Sequence, residues 1–214
     1  MSEQIFAMAA PIFELFEPIT LKQKYEFLED LLYDSYKDAD FNRLLSSVDR
    51  DSVEKDPRIK QIIPYIVIVD RLSRILTYTR KGSESRLAGK VSIGFGGHWK
   101  SDESFFQCVK RELSEELGIT NFYEIAFDIE DTIYSEKTEV DSVHYGILVS
   151  AIVDDLEKIV SINENNEVRD VKILRLDEID PNKLETWSEI VFDKLVPTIL
   201  LENMLSAMEE DDYV

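Results

Sequence analysis

The sequence predicts an α/β domain in which a mixed sheet carries one inserted helix, with helical segments at both ends of the chain. Three features point there. Apolar runs rich in β-branched residues recur between residues 62 and 176; a helical stripe of Phe106, Val109, Leu113 and Leu117 interrupts them; and the apolar spacing is helical before Asp56-Pro57 and again after Ser188.

Taken in order, Leu21, Tyr25, Leu28, Leu31 and Leu32 form a helical stripe, and Thr20 with Gln23 offers a capping box. A second short helix is expected from Asp40, with Phe41, Leu44, Leu45 and Val48 as its apolar face, so the first 60 residues read as helical. Asp56-Pro57 breaks that pattern. Residues 62–69 then form a continuous apolar strand, 75–79 pair with them across 70–74, and 91–95 alternate. Further strands are expected around 123–134, 143–153 and 168–176. Helical spacing returns over 188–204, where Pro197 kinks or divides the helix. The closing Glu209-Glu210-Asp211-Asp212 reads as a solvated tail. No repeat or low-complexity linker is visible. A chain of 214 residues that is 44% hydrophobic can bury a full-sized core. It divides into a helical N-terminal extension (1–58), a central α/β domain (59–180) and a C-terminal helix with its acidic tail (181–214).

The net charge of −20 is carried most heavily by residues 154–214, which hold 6 basic and 17 acidic groups. Such a surface repels nucleic acid and anionic membranes, so neither is expected as a partner. It also repels a small anionic substrate at long range, which leaves attraction to local cations. Arg80, Lys81, Arg86 and Lys90 form a locally basic segment, and Arg80 and Arg86 are the candidates there for holding a phosphate. The plainer alternative is a solvated hairpin loop. The single cysteine, Cys108, excludes an internal disulfide and reads as a packing residue in a reducing compartment. The N-terminus lacks a basic signal-peptide region, and no apolar run reaches the ~18 residues needed to cross a bilayer. A cytoplasmic location is expected.

The chemistry concentrates between Gly96 and Ile119. At about 100° per residue, Glu112 at 0° is joined by Glu115 at roughly 300° and Glu116 at roughly 40°, beside an apolar stripe at roughly 60–140°. Three carboxylates on one edge repel one another, and a divalent cation relieves this. Oxygen ligands without cysteine or histidine suit Mg²⁺ first and Mn²⁺ next. Gly96 and Gly97 follow the strand over 91–95, where glycine permits a sharp turn and a close backbone approach. Gly118 ends the helix. With residues at roughly one in fifteen, seven fixed identities coincide on the order of once in 10⁸ windows, so chance does not explain the pattern.

That pattern, Gly97, five residues, Glu103, seven residues, then Arg111-Glu112-Leu113-Ser114-Glu115-Glu116-Leu117-Gly118-Ile119, resembles the signature of the Nudix hydrolase family. The resemblance implies an α/β/α sandwich and Mg²⁺-dependent hydrolysis of a nucleoside diphosphate linked to another moiety, with Mn²⁺ as the substitute ion. It implies a metal held by the Gly96 carbonyl, Glu112, Glu115 and Glu116, and an Arg111–Glu103 pair fastening the loop to the helix. Glu112 either completes the metal shell or takes the water's proton. Glu164 and Glu167 are the candidates outside the signature for that base, against an ordinary reading as loop acids. His98 is placed to meet a phosphate or the ion's water shell and Trp99 to stack on a base, against the plainer reading of a solvated histidine and an exposed loop aromatic, while His144 serves structure. The family often forms homodimers. A shorter likeness at Lys60-Gln61-Ile62-Ile63-Pro64-Tyr65, Glu84-Ser85-Arg86-Leu87 and residues 92–98 resembles a bacterial and phage subgroup of predicted phosphoesterases that carries no known substrate. Two other readings compete. One is a catalytically silent Nudix fold that senses a ligand or binds a partner, against which the complete acid set argues. The other is an isoprenyl diphosphate isomerase, which needs a cysteine across the pocket and not one within the signature helix.

Overall fold

A computed structural model describes residues 2–9, 45–80, 89–159, 168–194, 198 and 201. Its centre is β3 (Ile59–Asp70), whose twelve residues are buried almost throughout. Alternate side chains point to opposite faces of a strand, and β3 uses both. Ile62, Ile66 and Ile68 meet Phe105, Val109, Leu113 and Leu117 of helix α2 (Phe105–Leu117). Ile63, Tyr65, Val67 and Val69 meet Trp187 and Val191 of α3 (Thr186–Lys194). Helix, sheet and helix therefore stack as an α/β/α sandwich, the fold class read from the sequence.

The sheet is mixed. β3 runs parallel to β8 (His144–Val153) from Gln61↔His144 to Asp70↔Val153, and antiparallel to β1 (Gln4–Ala9), β4 (Arg74–Arg80) and β6 (Gly94–Phe95). β7 (Ile125–Ile133) pairs with β8, and β9 (Val168–Arg175) with β4. Pro64, which has no N–H to donate, falls between the stretch of β3 paired with β1 and the stretch paired with β6. The turn from β3 to β4 is closed by the buried Asp70 carboxylate, which accepts from the Leu72 and Arg74 amides at 3.0 Å.

Two expectations are corrected. The described parts of the first 60 residues include strands: Gln4–Ala9, and β2 (Ser46–Asp49) where a second helix was expected. Only Arg50–Val53 is helical there (α1), with Asp49 as its N-cap, accepting from the Ser52 amide at 3.2 Å. The physical reason is long-range pairing: β1 lies between β2 and β3 and buries Ile5, Ala7 and Met8. The stripe from Leu21 to Leu32 lies outside the described residues. The single strand expected over 91–95 is instead two short ones, β5 (Val91–Ser92) on β4 and β6 on β3. Between them the Ile93 amide donates to Ser188 Oγ at 3.0 Å, so the chain changes partner at that residue.

Helix α2 opens on a capping box the sequence reading did not use. The Gln107 amide donates to Ser104 Oγ at 3.2 Å and the Ser104 amide to Gln107 Oε1 at 2.7 Å. It closes at Gly118, whose φ of 69° lets its N–H reach back to the Leu113 and Ser114 carbonyls. Ser104→Ala is expected to cost about 1 kcal/mol, read by urea denaturation. Among the described residues no helix is long and apolar enough to cross a membrane.

Candidate active site

The glycine bend after β6 is forced by close approach. At Gly96, with φ of 143°, an added Cβ would lie 1.9 Å from the Pro64 carbonyl oxygen, and at Gly97 it would lie 2.8 Å from Glu112 Oε1. The bend thus presses on β3 from one side and receives α2 glutamates on the other. The Gly96 amide donates to Glu116 Oε2 at 3.0 Å.

Glu112 and Glu116 are both buried, 8% and 9% exposed, while Glu115 keeps more than half its side chain in solvent. Buried carboxylates need partners, and Arg111 is the principal one. Its Nε and Nη2 grip Glu103 Oε2 and Oε1 at 2.9 and 2.6 Å, and Nη2 also donates to the His98 carbonyl at 3.0 Å. Its Nη1 reaches Glu112 at 2.5 Å and Glu115 at 3.2 Å. Loop and helix are therefore tied by one guanidinium.

The charges respond accordingly. Burial opposes the Arg111 charge, but Glu103 and Glu112 outweigh it and hold the guanidinium above its ordinary pKa. Burial also opposes ionisation of Glu103, which Arg111 and the Lys100 amide nevertheless hold below the usual carboxylate range. Glu112 goes the other way: burial raises it, Arg111 only partly compensates, and Glu115 and Glu103 add to the rise.

Among the described residues, no three acidic, histidine or cysteine side chains are poised to enclose an ion. Arg111 draws Glu112 and Glu115 to itself, and Glu116 faces the Gly96 amide. The donor set still fits a hard divalent cation. It offers carboxylate oxygens beside a bend with no Cβ, and one buried acid whose ionisation lacks full compensation.

His98 and His144 form a pair, with rings 5.3 Å apart and Nε2 atoms at 3.3 Å. His144 Nδ1 lies 2.8 Å from the Val140 carbonyl, which can only accept, so that nitrogen carries a proton, and one of the two Nε2 atoms donates to the other. Burial, with the charge of Arg50, the His144 ring and Arg111, pushes His98 down to about 3. It is a neutral ring near pH 7.

Trp99 does not stand ready for a base. It is fully buried between Phe6 and Phe105, with Nε1 donating to the Glu103 carbonyl at 3.1 Å. Cys108 is a buried member of the same core. Arg80 ends β4 within the electrostatic reach of Glu185 and Glu116, and Lys90 donates to the Asn182 carbonyl at 3.2 Å. Lys81, Arg86, Glu164 and Glu167 lie outside the described residues.

A cleft of about 400 Å³ gathers Gly96, Gly97, His98, Arg111, Glu112, Glu115 and Glu116. It also takes in Glu3, Arg50 and Lys100, which sequence reasoning missed. No local signal marks them. β1 brings Glu3 alongside the bend through Phe6 N donating to Trp99 O at 2.8 Å and Ser101 N to Gln4 O at 3.1 Å.

The NUDIX domain family model matches residues 61–195. Protein YmaB of Bacillus subtilis (strain 168) is 40% identical over 159 residues, which is 68% of this chain and 76% of that protein. The uncharacterized Nudix hydrolase YfcD of Salmonella typhi is 30% identical over 78 residues, covering 36% of this chain and 42% of its own. Among solved structures, that of Tm1382, a candidate Nudix hydrolase, superposes with a TM-score of 0.67 at 24% identity, over 92% of this chain and 100% of Tm1382. That likeness speaks for the fold.

Proposed function

The chain belongs to the NUDIX domain family and is a Nudix hydrolase, and from that premise we propose that it hydrolyses a nucleoside diphosphate linked to another moiety, using Mg²⁺ or Mn²⁺. The observation that carries this reading is the glycine bend seated on the α2 glutamates, with Gly97 too close to Glu112 for any side chain. The Gly96 carbonyl, Glu112, Glu115 and Glu116 would hold the ion. When bound, such an ion supplies Lewis-acid polarisation of a phosphoryl oxygen and makes a water acidic enough to attack.

The chain's own groups do the rest. Arg111 and Glu103 keep loop and helix at fixed spacing, which orients the carboxylates before substrate arrives. Glu112, next to the bend, serves as a ligand or accepts the water's proton. Arg80 adds positive charge near Glu116. The water oxygen bonds to one phosphorus, the bridging P–O bond breaks, and its electron pair leaves with the second phosphate. With a net charge of −20, the partner is a small diphosphate and not nucleic acid or an anionic membrane.

A panel of nucleoside triphosphates, dinucleoside polyphosphates, sugar nucleotides and nucleotide cofactors, incubated with Mg²⁺ in ¹⁸O-water, tests the proposal. Label in a product phosphate and cleavage at the anhydride are expected. Tight binding without turnover on every member would replace this reading with a ligand-sensing module.

A further inference from the structure

Glu3, Arg50 and Lys100 line the cleft, yet none belongs to the constrained positions of the signature. Their placement is built. The Arg50 amide donates to the Glu3 carbonyl at 3.0 Å, and Arg50 Nη1 meets Glu3 Oε2 at 2.9 Å. Lys100 Nζ lies 3.5 Å from Glu3 Oε1, and Lys100 is bridged to Ile5 of β1. One carboxylate thus pairs with two cations at this edge of the cleft, in a chain that carries −20. About a third of each of these side chains stays in solvent, and ion pairs so exposed contribute about 0–1 kcal/mol. A stronger anion can therefore share or take over the cations. The guanidinium suits phosphate because its planar fork matches two oxygens at once.

We propose that Arg50 and Lys100 bind a phosphate of the substrate beyond the diphosphate engaged at the glutamates, so that the preferred substrates carry three or more phosphates in a chain. This step rests on the diphosphate-cleaving reading above. Among the described residues Glu3 is the carboxylate that pairs with Arg50 and Lys100, and a substrate whose diphosphate is followed by a neutral sugar would bring these cations no further anion. A longer phosphate chain satisfies both ends of the cleft.

Calorimetric titration with inorganic pyrophosphate and inorganic tripolyphosphate in Mg²⁺ buffer tests it without turnover. The native protein is expected to bind tripolyphosphate about tenfold more tightly than pyrophosphate. Arg50→Gln and Lys100→Gln, which keep much of each apolar stem, should each erode that preference, and the double variant should abolish it with pyrophosphate affinity unchanged. Arg50→Lys should restore part of it, which a merely structural role would not predict. Equal affinity for the two probes in the native protein, an intact preference in the double variant, or a parallel loss of both probes would overturn the proposal. Failure of the hydrolase reading shows separately, as absence of product from every diphosphate with native protein.

Discussion

Glu116→Gln is expected to lower kcat/KM for diphosphate hydrolysis on the order of 10²–10³-fold, the usual consequence of removing one preorganised electrostatic group from a reacting centre. The substitution is nearly isosteric, and the amide oxygen can still accept from the Gly96 N–H that now reaches Glu116 at 3.0 Å. The helix and bend should therefore keep their geometry, with near-UV circular dichroism unchanged. What is lost is a buried negative charge. The same variant should lose the rise in melting temperature that Mg²⁺ gives the native protein, because an ion that binds only the folded state stabilises it by mass action, the more so the tighter it binds. Glu115 is more exposed, yet Glu115→Gln should follow the same direction. Retention of kcat/KM within about threefold in Glu116→Gln, well below that expected range, would remove the carboxylate from the mechanism.

What the sequence discloses divides along a physical line. The signature helix was legible because the spacing of Glu112, Glu115 and Glu116 is set by local helix geometry. Gly118 was legible because a left-handed residue at a helix end favours glycine. β3 was legible because burial on both faces leaves a run of Ile and Val with hardly a polar break. Features that depend on chain segments meeting from afar were not. Gln4–Ala9 is too short to declare itself, and its strand state comes from pairing with residues 59–61. Trp99 reads as a loop aromatic until Phe6 and Phe105 are seen to enclose it. The His98–His144 contact spans 46 residues, and the arrival of Glu3 and Arg50 at the cleft depends on the same β1 pairing. Local chemistry was read; the wall that shapes it was not.

Arg111→Ala is expected to destabilise the fold by about 3–5 kcal/mol, as removal of one partner from a buried ion pair does when it strands the other. Here it strands more than one. Glu103 and Glu112 keep only 14% and 10% of their side chains in solvent, and Arg111 itself keeps 20%. Against a typical total of about 5–15 kcal/mol, such a loss would be visible as a shifted urea midpoint at unchanged slope. Arg111→Lys retains the charge but not the fork that grips both Glu103 oxygens while reaching the His98 carbonyl, so it should recover only part of the loss. Acid should act on the same tie. The folded pKa of Glu103 is depressed, so its contribution is fully present above the unfolded carboxylate value near 4.5 and disappears as pH falls through the lower folded value. Native protein should therefore lose stability over that window more steeply than Arg111→Ala, in which Glu103 no longer has a cation to hold its pKa down. If the two proteins differ by less than about 1 kcal/mol at pH 7, the value of an ordinary exposed pair, the guanidinium is not what fastens the glycine bend to the helix.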